Sequence, residues 1–110
     1  GVAVNAFLWR AALDTVSFLP LSSADPFGGV IITDWHSETP GAAERFKVNV
    51  IILSRDLVAD GVRARVFREV RGDAASGWRS ASVSADTASK LENAILQRER
   101  ELRITSAAGG

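Results

Sequence analysis

Three residues at alternate positions, Asp34, His36 and Glu38, are of types that could carry out chemistry. Side chains two apart on a strand point to one face, so an extended backbone would bring two carboxylates and an imidazole together. Such a set could bind a metal ion or transfer protons. However, His36 is the single histidine, and Glu38 follows the predicted strand end. A polar strand end explains the same residues, so we predict no metal and no cofactor, and a metal-dependent enzyme at Asp34 and His36 ranks third among the functions considered.

Other catalytic arrangements find less support in the sequence. The chain contains no cysteine, which excludes a thiol nucleophile, a thiolate metal site and a disulfide framework within it. No serine lies in a Gly-x-Ser-x-Gly elbow. The pair Gly28-Gly29 leads into a predicted strand, so it lacks the helix N-terminus with which glycine-rich loops bind phosphate. We therefore predict that the protein is not an enzyme and has no catalytic residue.

The composition is typical of one soluble globular domain. The chain has 110 residues, of which 46% are hydrophobic and 24% charged, enough for a single hydrophobic core. Thirteen basic and thirteen acidic residues give a net charge of zero. The whole molecule therefore has no electrostatic attraction to nucleic acid or to an anionic membrane.

The charges are unevenly distributed along the chain. Residues 1–44 contain one base and five acids (1 − 5 = −4), and residues 45–79 contain eight bases and four acids (8 − 4 = +4). Residues 80–110 contain four of each. Acidic early elements could pair with basic middle ones across a sheet, or a basic surface could meet an acidic partner.

Hydrophobic periodicity predicts an α+β domain over residues 1–104 and a frayed tail over 105–110. A helix ends at Asp14-Thr15, an extended segment covers 16–21, and turn-forming residues cover 22–29. The predicted later elements are strands at 30–36, 45–52, 62–71 and 78–83 and a helix at 84–103. Short connections between these strands favour an antiparallel meander of four or five strands, with both helices on one face.

The two central strands predict a basic, uncovered sheet face. Phe46, Val48, Val50 and Ile52 alternate with polar residues and would pack under the helices. The residues predicted to bind a protein partner on the opposite face are Lys47, Arg63, Arg65, Phe67 and Arg71. Since Phe67 is the one aromatic residue expected there, the pattern of an RNA-binding sheet is incomplete, and we predict no nucleic-acid partner.

Three tryptophans, Trp9, Trp35 and Trp78, come from separate predicted elements. Their large apolar area predicts positions in the core or at its edge. Alternatively, they could line a pocket between the helices and the sheet, which would make the protein a small-ligand or lipid-binding domain.

Several segments resemble a family of small bacterial envelope lipoproteins that carry a domain of unknown function. The most specific is the motif Ala-Asp-Pro-Phe-Gly-Gly at Ala24–Gly29, followed by Thr33-Asp34-Trp35. The similarity extends over essentially the whole chain, including residues 4–15, 17–21, 45–50 and 91–96.

This resemblance implies a precursor with a signal peptide, a lipid-bearing cysteine and a spacer before the domain. It transfers no activity, cofactor or catalytic residue. The layout is also loosely similar to the helix-grip domains of an accessory lipoprotein of the outer-membrane assembly machine. Because the chain starts at Gly1 and contains no methionine, we expect an upstream segment to have been removed.

Together these observations predict a non-catalytic, periplasm-facing interaction or structural module of a membrane-anchored lipoprotein. The expected contact with the membrane is through an N-terminal lipid alone. Protein partners are expected, and a role in envelope assembly follows from the resemblance. The small-ligand or lipid-binding domain is the alternative.

Overall fold

The computed structural model describes residues 5–53, 61–73 and 77–109. Within them lie two helices and five strands: α1 Ala6–Thr15, β1 Leu21–Asp25, β2 Val30–Thr33, β3 Glu44–Ile52, β4 Val62–Val70, β5 Arg79–Ala81 and α2 Thr87–Gly109. Each strand pairs antiparallel with the next, in the order β1-β2-β3-β4-β5. The predicted α+β fold with an antiparallel meander is therefore confirmed.

The side chains of the long β3–β4 pair alternate between an inner and an outer face of the sheet. Val48 lies opposite Val66, Val50 opposite Ala64, and Ile52 opposite Val62. Val48, Val50, Ile52, Val62 and Ala64 are buried, whereas the alternate residues on both strands point the other way. The two-residue period of the sequence thus assigns side chains to the two faces as predicted.

Both helices cover the inner face. Leu8 and Ala11 of α1 and Ile95 and Leu102 of α2 belong to the same buried cluster as the inner residues of β3. These positions recur every three or four residues, which places them on one side of each helix. Between the helices, Arg98 Nε donates a hydrogen bond to Asp14 Oδ2 over 3.1 Å.

Two side chains, the buried Thr33 and the half-buried Glu92, accept hydrogen bonds from backbone N–H groups of the sheet. The Oγ1 atom of Thr33, at the end of β2, accepts a bond from Val48 N–H over 2.8 Å. The Oε2 atom of Glu92 on α2 accepts a bond from Ala64 N–H over 2.8 Å. Because an unpaired buried N–H would destabilise the fold, these bonds fasten β3 to β2 and β4 to α2.

The prediction of an extended segment at 16–21 followed by a turn at 22–29 is wrong. The chain turns directly after α1, with a 3.0 Å hydrogen bond from Leu19 N–H to Val16 O, because both of these apolar side chains enter the core. The first strand is Leu21–Asp25 instead. Asp25 then closes a shorter turn, in which Gly29 has a φ of 72° that favours glycine.

Three further boundaries differ from the predicted ones. β2 ends at Thr33, although His36 makes an isolated bridge to Phe46. β5 is confined to Arg79–Ala81. The second helix begins at Thr87 and continues to Gly109, through most of the segment predicted to be a tail.

In the described part of the chain, neither helix combines the length and the apolar character that a membrane span needs.

The packing of α2 gives a matched pair of stability predictions. Ile95 is fully buried, whereas Ile104 on the same helix is 68% exposed. We expect Ile95→Ala to lower the free energy of unfolding by about 2–5 kcal/mol, because it leaves a cavity. Ile104→Ala should change it by less than about 0.5 kcal/mol. Urea denaturation measures both, and equal effects would contradict the proposed burial of α2.

Candidate interaction surface on the outer sheet face

The five residues predicted to bind a partner share the outer sheet face. On this face Lys47 of β3 lies opposite Phe67 of β4. Arg65 and Arg63 occupy the two preceding alternate positions on β4. Arg71 follows the end of β4, where its N–H donates to Ala43 O over 3.0 Å. Arg63, Arg65 and Phe67 are exposed, and Lys47 and Arg71 are half-buried. The predicted placement is confirmed, while the binding role stays a prediction.

A stack of aromatic and cationic side chains crosses this face. The guanidinium carbon of Arg45 lies 4.7 Å from the ring centroid of Trp35 and 4.3 Å from that of Trp78. Arg71 lies over Trp78 at 4.7 Å, and the amine of Lys47 lies over Trp35 at 5.6 Å. All four contacts fall within the range of cation–π attraction. We call Trp35, Arg45, Lys47, Arg71 and Trp78 the Trp–Arg stack.

The prediction that all three tryptophans lie in the core or at its edge is wrong for two of them. Trp9 packs against the buried cluster, whereas Trp35 and Trp78 belong to the Trp–Arg stack. The reason is register: His36 pairs with Phe46, an inner residue, so Trp35 comes beside Lys47 on the outer face. Trp78 precedes β5, whose first residue pairs with Val70, so it comes beside Arg71.

Arg45 is also held by a carboxylate. Its Nε and Nη2 atoms donate to Oε1 of Glu69, across the β3–β4 pair, over 2.9 and 2.5 Å. The two side chains are 26% and 21% exposed. A planar guanidinium can stack on rings through its faces while its edge makes hydrogen bonds, and Arg45 uses both. Its charge is therefore neutralised within the face.

Three other cations on the outer face lack such a partner. Lys47, Arg65 and Arg71 make no ion pair with any carboxylate in the described part of the chain. Phe67 stands among them with 39% of its surface exposed. The face thus presents an excess of positive charge beside an apolar side chain, on a framework fixed by Arg45.

The two-residue alternation of the sequence puts Arg45, one position before Phe46, on the outer face, but it does not predict the stack. The one available signal was that the predicted strand on each side of the central hairpin contains a tryptophan near one end. Turning that signal into a contact requires the cross-strand register, which residue types alone do not fix.

The family of the chain follows from comparison with known sequences. Residues 2–104 match the sequence profile of a family described as a domain of unknown function, DUF3576. The chain belongs to this family. It is also similar to the uncharacterized protein RP420 of Rickettsia prowazekii (strain Madrid E), with 37% identity over 106 residues. That similarity covers 96% of this chain and 62% of the relative, so the chain spans less than two thirds of the relative's length.

The residues Asp34, His36 and Glu38 of this DUF3576 chain do not come together as a metal site. Asp34 lies beyond the end of β2 and is exposed, and its N–H donates to Pro20 O over 2.8 Å. His36 and Glu38 line a cavity on the inner side of the sheet. Across residues 5–53, 61–73 and 77–109, no three His, Cys, Asp or Glu side chains are grouped to hold a metal ion.

The DUF3576 chain does have a cavity between the sheet and α2, with a volume of about 280 Å³. Its apolar lining is formed by Phe18, Leu19, Phe46, Val48, Val66 and Leu91. No tryptophan belongs to this lining, so this cavity is not the tryptophan-lined pocket that the sequence allowed as an alternative. The reason is that Trp35 and Trp78 lie on the opposite side of the sheet.

Proposed function

We propose that this DUF3576 domain is a non-catalytic interaction module that binds an acidic partner protein through its outer sheet face. The observation that carries the proposal is the Trp–Arg stack, in which Arg45 lies against two rings and pairs with Glu69. On the same face, Lys47, Arg65 and Arg71 pair with no carboxylate among the described residues. Arginine and aromatic residues are enriched in protein interfaces.

The charge of the face argues for the chemistry of the partner. Lys47, Arg65 and Arg71 provide three positive charges that carboxylates of a partner could neutralise. Complementary charges accelerate association and orient the two surfaces. Phe67 supplies apolar area among them, which a partner would remove from water. An acidic surface with an apolar contact point is therefore the complement of this face.

The same contacts argue against single-stranded nucleic acid. Binding of that kind depends on aromatic rings whose faces are open for base stacking. Trp35 and Trp78 each already have two cationic groups against the ring. These features favour a protein partner.

We further propose that the domain faces the periplasm as part of a membrane-anchored lipoprotein with a role in envelope assembly. Support for this setting comes from the resemblance of the motif at residues 24–35 to envelope lipoproteins. The anchor would be an N-terminal lipid, and the outer sheet face would remain available to a partner.

Site-specific photocrosslinking tests the binding face. A benzophenone amino acid in place of Phe67 should yield a discrete adduct with an acidic protein in cells that express the protein natively. The same probe at Ile104, which is more exposed, should not yield that adduct. Arg65→Glu combined with Lys47→Glu should reduce the adduct at least about tenfold, because two attractive charges become repulsive. Adduct yield is measured by immunoblot, and the partner in the adduct is identified by mass spectrometry.

A matched charge reversal serves as the control. Arg100 is an exposed arginine on α2, and Arg100→Glu should leave the adduct unchanged. Thermal melting of each variant verifies that the fold is retained. An adduct of equal yield at both probe positions, or one that survives reversal of Lys47 and Arg65, would refute binding through the outer face.

Lipid labelling tests the cellular setting independently. The protein expressed from its own gene should incorporate labelled palmitate and sediment with membranes. In spheroplasts it should be accessible to added protease, because the domain faces the periplasm. An unlabelled protein in the cytoplasmic fraction would show that the proposed anchoring and location are wrong, without bearing on the crosslinking result.

A further inference from the structure

The cavity on the inner side of the sheet lies against the first turns of α2. Phe46, Val48 and Val66 form its sheet side, and Thr87 and Leu91, one helical turn apart, form its helix side. Phe18 and Leu19, from the connection between α1 and β1, complete the wall. The site is thus separated from the Trp–Arg stack by the sheet itself.

The lining combines buried and exposed apolar surface. Leu19 and Val48 are each 5% exposed, so they lie deep in the structure, whereas Phe18 is 67% exposed. A large aromatic side chain left in water beside an apolar cavity indicates surface that a ligand could cover.

The charges around the cavity determine which ligand fits. Glu38 lines the cavity and makes no ion pair among the described residues. Arg68, two positions after Val66 on the inner face, is neutralised by Glu44 at 2.6 Å and also donates to Ser82 O at 3.2 Å. The unpaired charge in the lining is therefore the negative charge of Glu38.

The start of α2 adds no free cation to the cavity. Asp86, directly before Thr87, accepts a 2.7 Å hydrogen bond from Ser84 Oγ and pairs with Lys90 at 2.9 Å. These bonds, that of Ser84 first, lower the pKa of the Asp86 carboxyl and keep it ionised. The carboxylate of Asp86 neutralises the charge of Lys90, and it opposes binding of an anion at this helix terminus.

We propose that this cavity is a binding site for a small amphiphilic organic cation, whose apolar tail enters between the sheet and α2 while its positive group lies beside Glu38. His36 and Thr87 supply further hydrogen-bonding atoms in the lining. The volume of about 280 Å³ compares with about 150 Å³ for a cavity that holds benzene. A single ring or a chain of roughly eight carbons therefore fits.

Titration with three ligands of one chain length tests this site. Octylammonium, octanol and octanoate share the tail and differ in the charge of the head group. In NMR titrations of the unmodified protein, octylammonium should shift the methyl signals of Leu19, Val48 and Leu91. Its affinity should exceed that of octanol by about threefold to fivefold, as expected for a partly exposed ion pair, and octanoate should bind most weakly.

Two substitutions separate the head-group contact from the cavity. Glu38→Gln should bring the affinity for octylammonium down to that for octanol. Leu91→Trp, which fills the cavity, should lower the affinity for octylammonium and for octanol at least about tenfold. Ile104→Trp, on the exposed side of α2, should change neither affinity.

Several outcomes would overturn the proposal. These are an absence of shifts at the cavity methyls with millimolar octylammonium, tighter binding of octanoate, or unchanged selectivity in Glu38→Gln. Uptake of an apolar peptide side chain in place of all three ligands would show that the cavity receives a partner protein. None of these outcomes affects the proposed role of the outer face, because the titration reports on the opposite side of the sheet.

Discussion

The Arg45 guanidinium is the interaction on which the outer face depends, because it joins segments from both sides of the central hairpin. Its plane contacts Trp35, which follows β2, and Trp78, which precedes β5, while its edge pairs with Glu69 on β4. Each cation–π contact contributes about 0.5–2 kcal/mol, with the larger values for desolvated groups. Removing Glu69 alone would leave a half-buried charge without its partner, which is costly. The four side chains therefore hold one another in place.

This arrangement distributes roles between the two sheet faces. The inner face of β3 and β4 packs against both helices and supplies the core, so its residues are constrained by volume. The outer face carries polar, aromatic and basic residues, and stacking and ion pairing hold the Trp–Arg stack in place. A surface fixed in this way loses little side-chain freedom when a partner binds, which favours affinity. The domain can thus present charge without relying on a mobile loop.

The sequence predicted these faces wherever strict alternation extended over many residues. In β3 and β4 the period of two assigned Lys47 and Arg65 correctly, because a shift of one residue would bury charge. Val16 and Leu19 both enter the core, but they lie three positions apart in a turn. A segment this short shows no alternation from which their burial could be predicted. The predicted strand over 30–36 included Trp35, but β2 ends at Thr33, so the alternation does not continue to Trp35. The Trp–Arg stack and the cavity lined by Phe18 depend on contacts between elements distant in sequence, which local patterns do not specify.

A double-mutant cycle between Trp35 and Trp78 tests most directly whether the outer face is one coupled unit. The free energy of unfolding would be measured for Trp35→Leu, for Trp78→Leu and for the double variant, in the native background and with Arg45→Gln. If Arg45 links the two rings, the single effects should deviate from additivity by about 0.5–1.5 kcal/mol. That coupling should disappear in the Arg45→Gln background. Effects that add within about 0.3 kcal/mol in the native background would contradict the account, because the rings would then be independent.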